Sequence, residues 1–159
     1  MTRAGIGFDS HRLAAGRRLV IGGVEIPHEL GLEGHSDADV LTHAVIDAML
    51  GAAGLGDIGE HYPDDQERWR DADSVGLLEL ALESVLERGF RLVNVDCTLL
   101  MESPKLAPHR TAIRGRLADA QGVEAERVNV KASTGERIGF VGRGEGVAAL
   151  AIVTLTEPG

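Results

Sequence analysis

The feature that most constrains the fold is a set of three potential metal ligands in segments of different periodicity. Asp9 and His11 follow a short strand pattern over residues 3–8, so both side chains would project to the same side of an extended chain. His43 lies in the first long helical pattern. If one metal ion binds all three, the end of the first strand must lie against that helix.

The environment of His43 leaves two interpretations open. Asp39, His43 and Asp47 are spaced i, i+4 and i+8, and they form a polar stripe beside the apolar helix face. His43 could therefore bind a metal while Asp39 or Asp47 accepts a hydrogen bond from its other ring nitrogen. The alternative is a solvated acidic face with a surface histidine, because D-x-H is a short and common pattern.

The ligand types indicate a catalytic zinc site and not a structural one. Structural zinc sites are usually closed by four ligands, mostly cysteines, whereas catalytic sites use three and leave a position open. The only cysteine is Cys97, which excludes a thiolate-rich site and a disulfide framework. A metal bound here would therefore take part in chemistry.

Length and composition indicate one globular domain over residues 1–159. Only 3% of the residues are aromatic, so Leu, Val, Ile and Ala must build the core. The net charge is −9 without a basic cluster, which argues against nucleic acid as a partner. The sequence lacks a membrane-spanning apolar run and a targeting signal, and its single cysteine fits a reducing compartment, so we expect a cytoplasmic protein without a membrane partner.

The order of the predicted elements indicates an α+β fold, with helices packed on one face of a single sheet. A hairpin is expected around Gly22 and Gly23. The later elements are a helix with Ser36 as N-cap and Gly54 at its end, a loop over residues 55–73, a helix from residue 73 or 74 to 88, a strand over 92–100, a helix ending near 121, a strand over 128–132, a glycine-rich turn over 139–146 and a strand over 147–155. The last strand is continuously apolar, which predicts burial on both faces.

A second group of candidate residues follows the strand over 128–132. The segment Ser133-Thr134-Gly135-Glu136 offers hydroxyls and a carboxylate, which suit Mg²⁺ or Mn²⁺ held partly by phosphate oxygens. Gly142-Arg143-Gly144 would let backbone amides and a guanidinium approach an anion. The alternative for this glycine-rich segment is a tight turn between two strands. His35 lies just before the first long helix, where backbone N–H groups favour an anion.

Taken in order, the motifs resemble those of 2-C-methyl-D-erythritol 2,4-cyclodiphosphate synthases along nearly the whole chain. The segments that carry the resemblance are Gly7-Phe8-Asp9-Ser10-His11, Ile21-Gly22-Gly23-Val24, His35-Ser36-Asp37-Ala38-Asp39, Gly56-Asp57-Ile58-Gly59, Pro104-Lys105, Val128-Asn129-Val130-Lys131-Ala132 and Gly139-Phe140-Val141-Gly142-Arg143-Gly144-Glu145-Gly146. The resemblance implies conversion of 4-diphosphocytidyl-2-C-methyl-D-erythritol 2-phosphate into a cyclic diphosphate with release of CMP, in non-mevalonate isoprenoid biosynthesis. It also implies a trimer-forming fold, a homotrimer with active sites between neighbouring subunits.

The resemblance assigns roles by position. It implies one zinc ion per subunit on Asp9, His11 and His43, and Glu136 as a ligand of Mg²⁺ or Mn²⁺ with the bound diphosphate. It further implies that His35 and Thr134 stabilise the transition state. The implied substrate contacts are Asp9, Ser10, His11, His35 and Ser36; Asp57, Ile58, Gly59 and Asp64 in the loop at the methylerythritol hydroxyls; Pro104, Lys105, Leu106, Ala107, Ala132 and Ser133 around cytidine; and Thr134, Gly135, Glu136, Phe140 and Arg143 near the phosphates and the central cavity. Gly135 departs from the family, in which threonine is common at this position.

Two other functions remain compatible with these residues. A zinc-dependent phosphohydrolase would use the same ligands but transfer an oxygen from water to its product. A non-catalytic trimeric binding module would keep its function without Asp9. In the synthase, by contrast, the 2-phosphate of the substrate is already a nucleophile at neutral pH, which explains why no nucleophile–base arrangement is visible in the sequence.

Overall fold

A five-stranded mixed sheet forms one layer of the protein, and the helices cover one of its faces. The computed structural model describes residues 1–157. The strands are β1 (Thr2–Ala15), β2 (Leu19–Ile21), β3 (Val24–Ile26), β4 (Leu30–Leu32), β5 (Arg91–Leu100), β6 (Val128–Ser133) and β7 (Gly146–Thr156). The helices are α1 (Val40–Ala53), α2 (Ile58–His61), α3 (Ser74–Glu87), α4 (Arg110–Ala120) and α5 (Gly139–Gly142), and single 3₁₀ turns lie at Glu67–Trp69, Ala107–His109 and Ala125–Arg127.

The strand order in the sheet is β4-β1-β7-β5-β6, and β2 and β3 form a separate hairpin. β5 and β6 are parallel, whereas the other neighbours are antiparallel. α1 packs against β1 and β7, α3 packs on α1, and α4 packs against β6. The predicted α+β class is therefore confirmed. The predicted hairpin is also present, and Gly22 and Gly23 both have the positive φ that its turn requires.

Two glycines let β1 approach α1 closely. A Cβ atom on Gly7 would lie 1.9 Å from the carbonyl oxygen of Ala44, and one on Gly5 would lie 2.0 Å from that of Ala48. Because the strand backbone touches the helix backbone here, residues just beyond Gly7 in β1 lie beside α1. The predicted proximity of the first strand and the first long helix is thus confirmed.

We expect Gly7→Ala to destabilise the protein by about 3 kcal/mol or more, because the methyl group meets backbone atoms that cannot move independently. The control is Gly51→Ala within α1, where an added Cβ has nothing within 4 Å. Alanine should stabilise that helical position by roughly 0.5–1 kcal/mol. Urea unfolding of both variants measures the difference, and equal stability of the two would contradict this close approach.

The start of α1 corrects one prediction, since the N-cap is Asp39 and not Ser36. The Asp39 carboxylate accepts hydrogen bonds from Thr42 N at 3.0 Å and Thr42 Oγ1 at 2.7 Å. It also accepts from the amides of Gly22 at 2.8 Å and Gly23 at 2.6 Å in the hairpin turn. Burial raises the pKa of Asp39, and the hydrogen bonds from Thr42 offset part of this rise. One buried carboxylate therefore both starts the helix and fastens the hairpin.

Three other segments differ from their predicted form. β1 extends to Ala15, so that Asp9 and His11 lie within a strand and not at its end. The loop over residues 55–73 contains α2 and a 3₁₀ turn, and α2 is fixed because Asp47 Oδ1 accepts from Ile58 N at 3.2 Å. The glycine-rich turn contains α5, a single helical turn.

The final strand is buried on both faces only at its start, where Val147, Ala148 and Ala149 are at most 1% exposed, so the prediction of burial on both faces is wrong for the single chain from Leu150 onward. Leu150 and Ile152 are 38% and 47% exposed, and their partners on β1, Phe8 and Ile6, are 56% and 68% exposed. These four side chains lie on the sheet face opposite the helices, because side chains alternate along each strand. We call this apolar patch, formed by Ile6, Phe8, Leu150 and Ile152, the open sheet face. No helix within residues 1–157 is long and apolar enough to cross a membrane.

Candidate metal centre and adjoining cavity

Asp9, His11 and His43 come together at the junction of β1 and α1, as predicted. Asp9 Oδ2 lies 2.8 Å from His11 Nε2 and 3.1 Å from His43 Nδ1, and the two ring nitrogens are 3.3 Å apart. In a tetrahedral zinc site with bonds of about 2.0–2.1 Å, neighbouring ligand atoms are about 3.3 Å apart. The three donors therefore fit a single metal ion with small adjustments, and they leave its fourth position open.

The remaining ring nitrogen of each histidine has its own partner. His11 Nδ1 lies 2.8 Å from the carbonyl oxygen of Glu33, which fixes Nδ1 as the donor and leaves Nε2 free for a metal. His43 Nε2 lies 2.8 Å from Ser74 Oγ and 3.2 Å from Ser36 Oγ. The prediction that Asp39 or Asp47 accepts the hydrogen bond from the second ring nitrogen of His43 is therefore wrong.

The two carboxylates are unavailable to His43 because each has another partner. Asp39 holds the hairpin turn and the start of α1, and Asp47 binds the first amide of α2. Helical spacing correctly placed Asp39, His43 and Asp47 along α1. The hydrogen-bond partner of His43 Nε2, however, is Ser74 from a later part of the chain.

Asp9 and His11 change each other's pKa. Burial by itself would raise the pKa of Asp9, but the hydrogen bonds and positive charge of His11 and His43 outweigh it and lower the pKa to about 2. Burial lowers the pKa of His11, but the contact with Asp9 outweighs burial and raises it above the ordinary value. Asp9 is therefore ionised at neutral pH, and without a metal His11 retains a proton more tightly than a free imidazole does.

We expect metal affinity to fall steeply with acidity, because a metal must displace the proton that His11 retains. The apparent zinc affinity should decrease as the pH falls through the raised pKa of His11 and should level off above it. Competition with a chelating dye between about pH 5 and 8 measures this, after correction for the protonation of the dye. An affinity that does not change with pH would show that His11 is not a ligand.

The metal centre opens into a cavity of about 500 Å³. The residues predicted for the site that line it are Asp9, His11, His35, Ser36, His43, Ile58, Gly59 and Asp64. The sequence did not identify Gly34, Tyr62, Pro63, Asp65, Trp69 and Leu77 as lining residues. Tyr62 and Trp69 form a T-shaped pair with ring centroids 5.2 Å apart, which gives the cavity an apolar wall. The position of the only tryptophan within the long loop over residues 55–73 is the signal that could have indicated this wall.

Two predicted residues of this region do not face the cavity. Ser10 is exposed and, as a neighbour of Asp9 and His11 in a strand, points to the opposite face of the sheet. Asp57 is the N-cap of α2, and its Oδ1 accepts from Glu60 N at 2.9 Å.

The second group of predicted residues lies elsewhere in the chain, beyond the ends of β5 and β6. In the sheet register Asp9 pairs with Ala149, which pairs with Leu99, which pairs with Ala132. Ala132 is therefore three strand positions from Asp9, roughly 14 Å at about 4.8 Å per strand. Glu136 is not part of the cluster formed by Asp9, His11 and His43. One chain alone thus presents two separate halves of the predicted site.

The turn after β6 has an internal structure of its own. Thr134 Oγ1 accepts a hydrogen bond from Glu136 N and donates one to Glu136 Oε1, both at 3.2 Å. Gly135 N donates to Glu102 Oε2 at 2.8 Å, and a Cβ on Gly135 would lie 2.4 Å from Gly142 N. Glycine at position 135 therefore suits the close packing of this turn on α5.

The residues predicted to contact cytidine and phosphate differ in their solvent exposure. Leu106 is only 3% exposed, so its side chain belongs to the core and only its backbone can contact a ligand. Pro104 is partly buried, whereas Lys105, Ala107, Ala132 and Ser133 are exposed. Phe140 is exposed beside Gly146, and Arg143 forms an ion pair with Glu145 at 2.9 Å.

Together, the mixed sheet, the covering helices and the Asp-His-His cluster define an α+β protein with a candidate metal centre open to a cavity. The chain belongs to the YgbB family, whose model matches residues 2–156. It is 55% identical, over 99% of its length and 100% of the relative, to the 2-C-methyl-D-erythritol 2,4-cyclodiphosphate synthase of Halalkalibacterium halodurans.

Solved structures agree with this assignment. A 2C-methyl-D-erythritol-2,4-cyclodiphosphate synthase in a CDP-bound form is similar with a TM-score of 0.89 and 39% identity, over 97% of this chain and 100% of the other. The bifunctional IspDF from Campylobacter jejuni is similar with a TM-score of 0.96 and 44% identity. That match covers 99% of this chain but 43% of the bifunctional chain, so the present chain corresponds to less than half of that protein.

Proposed function

We propose that this chain converts 4-diphosphocytidyl-2-C-methyl-D-erythritol 2-phosphate into 2-C-methyl-D-erythritol 2,4-cyclodiphosphate with release of CMP. It would therefore be a phosphorus–oxygen lyase of isoprenoid precursor biosynthesis in the cytoplasm. The observation that carries this proposal is the cluster of Asp9, His11 and His43 on the wall of a cavity. It occurs in a chain that shares more than half of its residues with a synthase of this name over its whole length. Turnover of the purified protein followed by ³¹P NMR tests the proposal, since it should yield CMP and a cyclic diphosphate in equal amounts.

The chemistry required of the protein is chiefly positioning. The 2-phosphate attacks the β-phosphorus of the diphosphate and CMP leaves, so no side chain has to remove a proton from the nucleophile. Aligning two reacting groups can supply roughly 7–11 kcal/mol of a barrier. Asp9, His11 and His43 would hold zinc, which, when bound, acts as a Lewis acid on a phosphate oxygen. Glu136 would hold Mg²⁺ or Mn²⁺ with the diphosphate, while His35 and Thr134 would stabilise the charge that develops on the transferred group.

The two halves of the site support a homotrimer with active sites between subunits. The metal centre lies on β1 and α1, whereas the turn that contains Thr134 and Glu136 follows β6, whose Ala132 is roughly 14 Å from Asp9 across the sheet. A neighbouring subunit could supply the second half to the cavity of the first. The open sheet face offers the contact surface, because four large apolar side chains on adjacent strands are exposed in the single chain.

The cytidine part of the substrate would bind at the second half of the site. Backbone groups at Pro104–Ala107 and the exposed residues Ala132 and Ser133 can pair with a pyrimidine edge. The similar structure that contains CDP supports this choice of nucleotide. The methylerythritol part would then bind in the cavity beside the metal centre, near Ile58, Gly59 and Asp64.

A further inference from the structure

We propose that Ser74 and Asp37 are positioning residues that orient His43 toward the metal. Neither residue is among those predicted for the site from the sequence. The inference rests on the proposed metal centre for its functional meaning, but its structural content is the hydrogen-bonded chain from His43 through Ser74 to Asp37.

The direction of these hydrogen bonds follows from the carboxylate of Asp37. An ionised carboxylate can only accept hydrogen bonds, so the hydroxyl of Ser74 donates to Asp37 Oδ1. Ser74 Oγ is then left as an acceptor for His43 Nε2, which lies 2.8 Å away. His43 Nε2 therefore carries a ring proton, and Nδ1, the nitrogen that faces Asp9 and His11, is the atom available to a metal.

Ser74 is held rigidly in this role. It is fully buried at the first position of α3. Asp37 accepts a hydrogen bond from the Ser74 hydroxyl through Oδ1. It also accepts one from the Ser74 backbone amide through Oδ2, at 3.1 Å. The side chain of Ser74 cannot rotate away without breaking the bond to Asp37, so the ring of His43 keeps one orientation.

The same contacts connect two segments of the cavity region. Asp37 N donates to the carbonyl of Ala72 at 3.2 Å, and Asp71 N donates to the carbonyl of His35 at 2.9 Å. The segment that contains His35 is therefore fastened to the end of the long loop over residues 55–73. Ser74, the first residue after this loop, links it to His43 through the hydrogen bond to Nε2.

Ser36 is a weaker second partner of His43. Its Oγ lies 3.2 Å from His43 Nε2, and the same oxygen accepts from Ala38 N at 3.1 Å. Because Ser36 could partly replace Ser74, the combined Ser36→Ala and Ser74→Ala protein should be affected more than Ser74→Ala alone.

The test uses Ser74→Ala with Ser84→Ala as the matched control, because Ser84 lies on the same helix and its exposed hydroxyl donates only to the carbonyl of Leu80 at 3.2 Å. Zinc affinity, measured by competition with a chelator, should fall about 10–100-fold for Ser74→Ala and stay unchanged for the control. Asp37→Asn leaves one acceptor oxygen for the two groups of Ser74, and its affinity should fall by a smaller factor. If Ser74→Ala does not fold, Asp37→Asn alone provides the test.

A second measurement separates this inference from the proposed metal site. In the metal-free protein, at a pH well above the ordinary imidazole pKa of about 6.5, long-range ¹H–¹⁵N spectra report which nitrogen of His43 carries the proton. The wild type should keep a proton on Nε2 of His43, whereas Ser74→Ala, in which Asp9 at Nδ1 and Ser36 at Nε2 are the remaining partners, should shift the proton toward Nδ1. Failure of the wild type to bind zinc would refute the metal centre and leave this tautomer result decisive. An unchanged tautomer and an unchanged zinc affinity in every foldable variant would overturn the role of Ser74 and Asp37.

Discussion

Asp9→Asn is expected to lower kcat/KM by at least about 10³-fold while the protein remains folded. Asp9 is the only carboxylate of the metal cluster, and its pKa of about 2 keeps it charged at neutral pH. An amide is a much poorer ligand and removes the negative charge that holds the metal. A catalytic metal contributes several kcal/mol to transition-state stabilisation, and each 1.36 kcal/mol or so corresponds to a tenfold change in rate.

The control for this variant is Asp119→Asn, which makes the same chemical change at an exposed position of α4. Steady-state kinetics with the natural substrate, together with the zinc content of each protein, measure the effect. Full activity of Asp9→Asn would contradict a catalytic metal. If the wild type shows no turnover and Asp9→Asn binds the substrate as well as the wild type does, the binding-module alternative would be favoured.

The second large effect is expected at the open sheet face. Ile152→Asp should abolish the proposed trimer and lower kcat/KM by about 10²-fold or more, because in that trimer each site would lose the groups proposed to come from the neighbouring chain. Ile152 is 47% exposed and lies opposite Ile6, which is 68% exposed, so an aspartate is readily solvated in the single chain. In an assembled interface the same charge would be buried without a partner, which is strongly unfavourable.

Leu80→Asp is the matched control, because Leu80 is 43% exposed but lies on α3, on the helical side of the molecule. Sedimentation velocity should give a trimer for the wild type and the control, and a folded monomer for Ile152→Asp. The monomer should still bind zinc, since Asp9, His11 and His43 all lie in one chain. A trimeric and fully active Ile152→Asp protein would rule out this face as the interface.

The parts of the fold that could be predicted from the sequence depend on local patterns. The hairpin followed from Gly22 and Gly23, and α1 followed from the spacing of its apolar residues. Alternation along a strand placed Asp9 and His11 on one side of β1, and helical spacing placed His43 beside the apolar face of α1, whereas a shared metal was implied by the family resemblance. In each case the relevant geometry repeats within a few residues, so periodicity is a reliable guide.

The features that could not be predicted depend on contacts distant in sequence. Asp39 replaces Ser36 as N-cap because its carboxylate also binds two amides of the hairpin. Ser74 is the partner of His43 because α3 begins beside α1, 31 residues further along the chain. The apolar pattern of the last strand predicted burial on both faces, but Leu150 and Ile152 are exposed, because the helices cover only one face of the sheet.

The identity of the attacking oxygen tests the central claim most directly. The synthase and a zinc-dependent phosphohydrolase would share the metal centre and both would release CMP, but they differ in whether a phosphate of the substrate or water attacks phosphorus. The cavity wall formed by Tyr62 and Trp69 gives the protein a surface that can keep water from the reacting groups. We predict that turnover in ¹⁸O-labelled water gives CMP and a cyclic diphosphate without label in either product, as measured by mass spectrometry. Incorporation of ¹⁸O into a phosphate product would show that water is the nucleophile and would contradict the proposed cyclisation.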